Sequence, residues 1–105
     1  MNLNDLTEYK NKLGTIFRRN HVIKALLFGS VSSGKNTRRS DIDILILMES
    51  DKRFFDRYDD FNEVYDVLKG SAVDMLIYTP DELSRISNRV FIKNILSEGK
   101  IIYEH

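Results

Sequence analysis

Leu27-Phe28-Gly29-Ser30, then the ten residues from Val31 to Ser40, then Asp41-Ile42-Asp43-Ile44-Leu45-Ile46-Leu47: this stretch decides the architecture of the 105-residue chain. The apolar run from Ile23 to Phe28 stops at a glycine, which suits a buried strand. Val31 to Ser40 is rich in Ser, Gly, Lys, Asn and Arg and has no apolar period, so it reads as a loop with at most a helical turn. From Asp41 to Met48 Ile and Leu residues follow one another without alternation, the pattern of a strand buried on both faces.

Outward from there, Leu6, Tyr9, Leu13, Ile16 and Phe17 recur at helical spacing behind a cap at Asn4 or Asp5, and that helix ends near Asn20. Downstream, Arg53 to Leu68 reads as a second helix. Phe54, Phe55, Tyr58, Phe61, Tyr65 and Leu68 form its stripe, and Asp59, Asp60 and Glu63 lie on a solvated face. Tyr9, Tyr58 and Tyr65 are therefore expected in the core, and His21 and His105 on the surface. Ala72 to Tyr78 is a third strand, Pro80 opens a helical turn, Asn88 to Glu98 is a last helix stopped by Gly99, and Ile101 to Tyr103 adds an edge strand. The order is helix, strand, loop, strand, helix, strand, helix, strand. The expected fold is α/β (α+β): a small mixed sheet of three or four strands with helices packed against it, in one domain spanning residues 1–105.

The unusual residues are carboxylates in apolar strands. Alternate strand residues face the same way, so Asp41 and Asp43 share a face with Cβ atoms about 6.5 to 7 Å apart. Asp74, between Val73 and Met75, repeats the anomaly in the next strand. Desolvated carboxylates repel one another unless a cation compensates. If the two strands pair in register, three carboxylates converge as a two-metal phosphoryl- or nucleotidyl-transfer site requires, and Mg²⁺, with Mn²⁺ as a substitute, matches such an oxygen ligand set. Gly29 lets a triphosphate approach the backbone, Ser30 adds a hydroxyl and an N–H, and the loop amides that follow suit an anion nest. Arg39, with Lys35 and Arg38, either neutralises phosphate or belongs to a solvated loop, and Ser40 is counted with the nucleotide-binding residues.

Composition narrows the alternatives. Sixteen basic residues balance sixteen acidic ones, so no net field draws the chain to nucleic acid or a membrane, and a polyanion site must be local. The absence of cysteine excludes a disulfide framework, a thiolate metal site and a Cys nucleophile. No segment has the roughly 20 apolar residues of a membrane span, and the expectation is a cytoplasmic protein. Gly29, four residues, Gly34-Lys35 echoes a P-loop, but Asn36 stands where Ser or Thr should be, and the chain leads into a strand rather than a helix. Ser32 and Ser33 have no partnered base.

Gly29-Ser30, ten residues, Asp41-Ile42-Asp43 and a later Asp74 resemble the signature of the DNA polymerase beta-type nucleotidyltransferases. Within that superfamily the chain is most similar to the minimal nucleotidyltransferases that act as antitoxins beside HEPN-domain toxins. Four fixed residues at ordinary usage match by chance somewhere in such a chain on the order of once in a thousand. The resemblance covers almost the whole chain and implies catalytic and metal-binding roles for Asp41, Asp43 and Asp74. It also implies Mg²⁺-dependent transfer of AMP from ATP to a hydroxyl, a tyrosine of the cognate HEPN toxin, in a hetero-oligomer with that helical partner. The rival expectation is an antitoxin that neutralises its partner by contact with little turnover.

Overall fold

The computed structural model describes residues 3–29 and 42–105, and for residues 3–8 the backbone alone. Helix α1 (Leu3–Arg19) leads into β1 (Val22–Phe28), followed by β2 (Ile42–Met48), a 3₁₀ segment (Phe54–Phe61), α2 (Asn62–Val67), β3 (Val73–Tyr78), α3 (Pro80–Ile86), α4 (Val90–Glu98) and β4 (Lys100–Glu104). The four strands form one sheet in the order β3-β2-β1-β4. β1 is antiparallel to both β2 and β4, and β2 runs parallel to β3, so the sheet is mixed.

Both faces of the sheet are covered, which is why β2 lacks alternation. On one face Leu13, Ile16 and Phe17 of α1, with Phe61, Val64 and Leu68, bury Ile42, Ile44, Ile46 and Ile77. The Phe17 ring lies 5.6 Å from Tyr103 and 6.3 Å from Phe61, centroid to centroid. On the other face Ile92 and Ile95 of α4 pack on Leu26 and Leu45, flanked by Leu76, Leu83 and Ile86. Gly99 makes the return from α4 possible. A Cβ there would stand 2.6 Å from the Ile95 carbonyl oxygen and 3.3 Å from that of Leu27, so a larger residue would force α4 and β4 away from β1.

Two expectations need correction. The helix expected from Arg53 to Leu68 is a 3₁₀ segment followed by a six-residue α2. Its apolar stripe does not sit uniformly inside: Phe55 is 80% exposed and Tyr65 40%, whereas Tyr9 and Tyr58 do pack on the core. The side chain turned inward is instead Arg57, only 3% exposed. It donates from Nη1 and Nη2 to the Glu82 carboxylate at 2.6 and 2.9 Å, from Nη1 to the Ile77 carbonyl and from Nε to the Lys52 carbonyl. A cation satisfied this way is invisible to an apolar period. Tyr58 donates its hydroxyl to the Met75 carbonyl, and burial raises its pKa, helped by the charges of Tyr65, Tyr78 and Asp74.

Glu82 has a second duty. Thr79 caps α3, its hydroxyl accepting from the Glu82 N–H while the Glu82 carboxylate accepts from the Thr79 N–H, a capping box with Pro80 in the first turn. The Arg57 hydrogen bonds first, and the Thr79 N–H second, hold the Glu82 carboxyl at about 2 instead of 4.5. A depressed folded-state value means that the stabilisation is fully present above about 4.5 and is lost as pH falls from there towards about 2. Glu82→Gln leaves the buried guanidinium without its counter-charge and should cost about 1 to 3 kcal/mol at neutral pH. It should also flatten the fall of stability below pH 4.5. Urea melts across that range check both, and a variant as acid-sensitive as the parent would contradict the assignment.

Candidate functional site

β1 ends at Phe28, and Gly29 turns the chain with φ +81°, a backbone region that residues with a Cβ rarely adopt. Phe28 is the register partner of Asp43 on β2, and Asp43 is the register partner of Asp74 on β3. The three strands therefore bring one end of β1 and the beginnings of the parallel pair β2 and β3 to the same level of the sheet. Neighbouring strands lie about 4.8 Å apart, so the two carboxylates stand side by side.

They also share a face. Ile42 and Ile44 flank Asp43, Val73 and Met75 flank Asp74, and all four belong to the core under α1, so strand alternation turns both aspartates to the side occupied by α3 and α4. Asp43 is half-buried and Asp74 exposed. Asp74 is not forced into a desolvated interior, because β3 is an edge strand and the carboxylate reaches water.

Gly29 approaches Asp43 closely. A Cβ built on it would stand 2.5 Å from Asp43 Oδ2, with the Asp43 Cγ and Cβ at 3.5 and 3.8 Å. The glycine is thus required twice, by its positive φ and by the carboxylate against its Cα. Two adjacent acidic oxygens beside a glycine too close for any side chain form an oxygen-donor cradle suited to a hard cation such as Mg²⁺. Ser30, Arg39, Ser40 and Asp41, with Lys35 and Arg38, lie outside the described residues, and so does the Gly34-Lys35 segment of the P-loop echo. Among the described residues no three His, Cys, Asp or Glu side chains cluster as a metal site. The antiparallel pairing of β1 with β2 differs from the parallel sheet of P-loop proteins.

Beside this cradle, on the β1 and α4 side, a cavity of about 390 Å³ is lined by Phe28, Gly29, Phe91, Asn94 and Glu98, among others. The sequence reading missed the α4 residues. Their signal was present as Phe91, Asn94 and Glu98 at helical three- and four-residue spacing, next to the buried pair Ile92 and Ile95. No helix among the described residues is long and apolar enough to cross a membrane.

Residues 11–105 match the protein family described as polymerase beta, nucleotidyltransferase. A protein of Methanocaldococcus jannaschii named as a candidate protein adenylyltransferase is 31% identical over 98 residues, 93% of this chain and 94% of its own length. Among solved structures, a toxin-antitoxin crystal structure with AMP-PNP superposes with a TM-score of 0.68 at 26% identity, over 91% of this chain and 73% of that one. A complex of the tri-AMPylated Shewanella oneidensis HEPN toxin with its MNT antitoxin shares the fold, with a TM-score of 0.63 at 23% identity over 94% of this chain and 72% of that one.

Proposed function

This chain belongs to the polymerase beta nucleotidyltransferase family, and from that premise we propose that it transfers AMP from ATP to a tyrosine hydroxyl of a HEPN-type toxin and thereby neutralises it. The observation that carries the reading is the register pair Asp43 and Asp74 beside Gly29, a carboxylate pair next to a backbone that nothing but glycine fits. Two similarities support the nucleotide and the kind of partner: the relative named for protein adenylylation, and the toxin-antitoxin structure holding an ATP analogue.

In this reading Asp43 and Asp74, with Asp41, hold Mg²⁺, which when bound neutralises charge on the phosphates and on the leaving pyrophosphate. Gly29 and Ser30 admit the triphosphate to the backbone, and Arg39 and Ser40 add contacts from the loop. Asp43 fixes the nucleotide end of the site. Asp74, open to water at the sheet edge, receives the proton of the acceptor hydroxyl as its oxygen attacks the α-phosphorus. The acceptor arrives on a partner protein, in a hetero-oligomer, a reading supported by the likeness to a toxin-antitoxin structure. Residues 1–105 act as one domain in a cytoplasmic setting, without nucleic acid or membrane.

Mass spectrometry of the chain coexpressed with its toxin tests this directly. An added AMP on a toxin tyrosine is expected, formed with Mg²⁺ or Mn²⁺ and absent with EDTA. A complex that stays unmodified under Mg²⁺-ATP while the toxin is still inhibited would replace transfer with neutralisation by contact.

A further inference from the structure

The cavity between β1 and α4 has a described lining that favours one of the three parts of a nucleotidyl-transfer reaction. It shares Gly29 with the carboxylate cradle, so a ligand held there continues into it. Its described lining contains no Lys, Arg or His and does contain the carboxylate of Glu98, which repels phosphate. That wall suits an uncharged group better than a phosphate. Across the sheet the order is Asp74, Asp43, Phe28, so the cavity is on the opposite side of Asp43 from the edge where the acceptor is placed. Of the three, the base is the part that such a wall fits.

The chemistry of the wall agrees. Phe28 and Phe91 meet edge to face, centroids 6.0 Å apart and planes at 86°, and give the cavity an aromatic side. Asn94 and Glu98 stand one helical turn apart on α4, with Phe91 a turn before Asn94, so their polar heads project from the same side of the helix. We propose that this cavity takes the adenine base of the nucleotide and that Asn94 and Glu98 select it, an inference that rests on the nucleotidyl-transfer reading above. An asparagine amide pairs with the adenine N6 and N7 edge, donating to N7 and accepting from N6. The second N6 hydrogen is then available to the Glu98 carboxylate. Guanine presents O6 at the same place, an acceptor facing two acceptors, and is disfavoured.

Calorimetry with Mg²⁺ and three probes, ATP, GTP and inorganic tripolyphosphate, separates the base from the phosphates. The wild-type chain should bind ATP at least tenfold more tightly than either GTP or tripolyphosphate. Asn94→Ala and Glu98→Gln should each weaken ATP about tenfold, or roughly 1.4 kcal/mol, while leaving tripolyphosphate within twofold. Glu98→Gln, which offers a donor to O6, should also narrow the gap between ATP and GTP. Both residues are exposed on α4, and unchanged tripolyphosphate binding and thermal melts report an intact fold. The inference is overturned if the variants bind ATP like the wild type, or if the wild type binds ATP no better than tripolyphosphate. Failure of the wild type to bind any of the three probes removes the nucleotide reading itself, and this one with it.

Discussion

Asp74→Asn should keep Mg²⁺-ATP affinity within about tenfold and lose AMP transfer by at least a hundredfold, the contribution that a positioned proton acceptor typically makes. The two effects come apart because of where the sheet puts the residue. Asp43, half-buried against Gly29, belongs to the wall that a nucleotide would touch, whereas Asp74 sits one strand further out on an exposed edge. Asn retains the shape and one acceptor oxygen but cannot take a proton from the acceptor hydroxyl. Asp43→Asn should lose binding and transfer together. Titration with ATP and a single-turnover transfer assay, run on both variants, measure the split. Near-normal transfer by Asp74→Asn would leave the third carboxylate without a catalytic role. Parallel loss of binding and transfer in both variants would make Asp74 a second nucleotide ligand.

The parts of this arrangement that could be read from the chain are those set by period and by the cost of burying charge. The uninterrupted Ile and Leu run of β2 announced a strand covered on both faces, and Gly29 followed by Asp43 announced where that strand meets a loop. Register was conditional in the sequence, since nothing in Val73-Asp74-Met75 says which residue of β2 it faces. The parallel pairing that aligns Asp43 with Asp74 is fixed by the whole βα crossover through α2 and the turn at Gly70, φ +97°. The exposure of Asp74 is not legible in the sequence for a related reason. An apolar run looks the same in a central strand and in an edge strand, and only the strand order, β3 outermost, distinguishes them. Arg57 is not legible in the apolar period, because the counter-charge that lets it turn inward, Glu82, is 25 residues away. The capping box from Thr79 to Glu82 is a local signal, legible beside Pro80 in the sequence itself.

Among the described glycines, Gly29→Ala should be the most damaging change for function. Two independent costs add at this position. A residue with a Cβ at φ +81° is strained by roughly 1 to 2 kcal/mol, and the new methyl would stand 2.5 Å from Asp43 Oδ2, well inside van der Waals contact. One of the two must yield, and the carboxylate is the softer. Rotating Asp43 away from Gly29 separates it from its register partner Asp74, while the methyl fills the approach that a triphosphate would need in the proposed reaction. Stability should fall by about 1 to 2 kcal/mol, since the strain is local and the core on the α1 face is untouched. Mg²⁺-ATP affinity should fall by far more than that strain implies, at least a hundredfold, with transfer lost alongside it. The comparison is informative against Gly70→Ala, at φ +97° with nothing within 4 Å of the added methyl. That variant carries the same kind of backbone strain without the clash, so it should lose similar stability yet keep nucleotide binding. Equal binding by the two variants would show that Gly29 serves the turn alone and that its closeness to Asp43 has no part in the site.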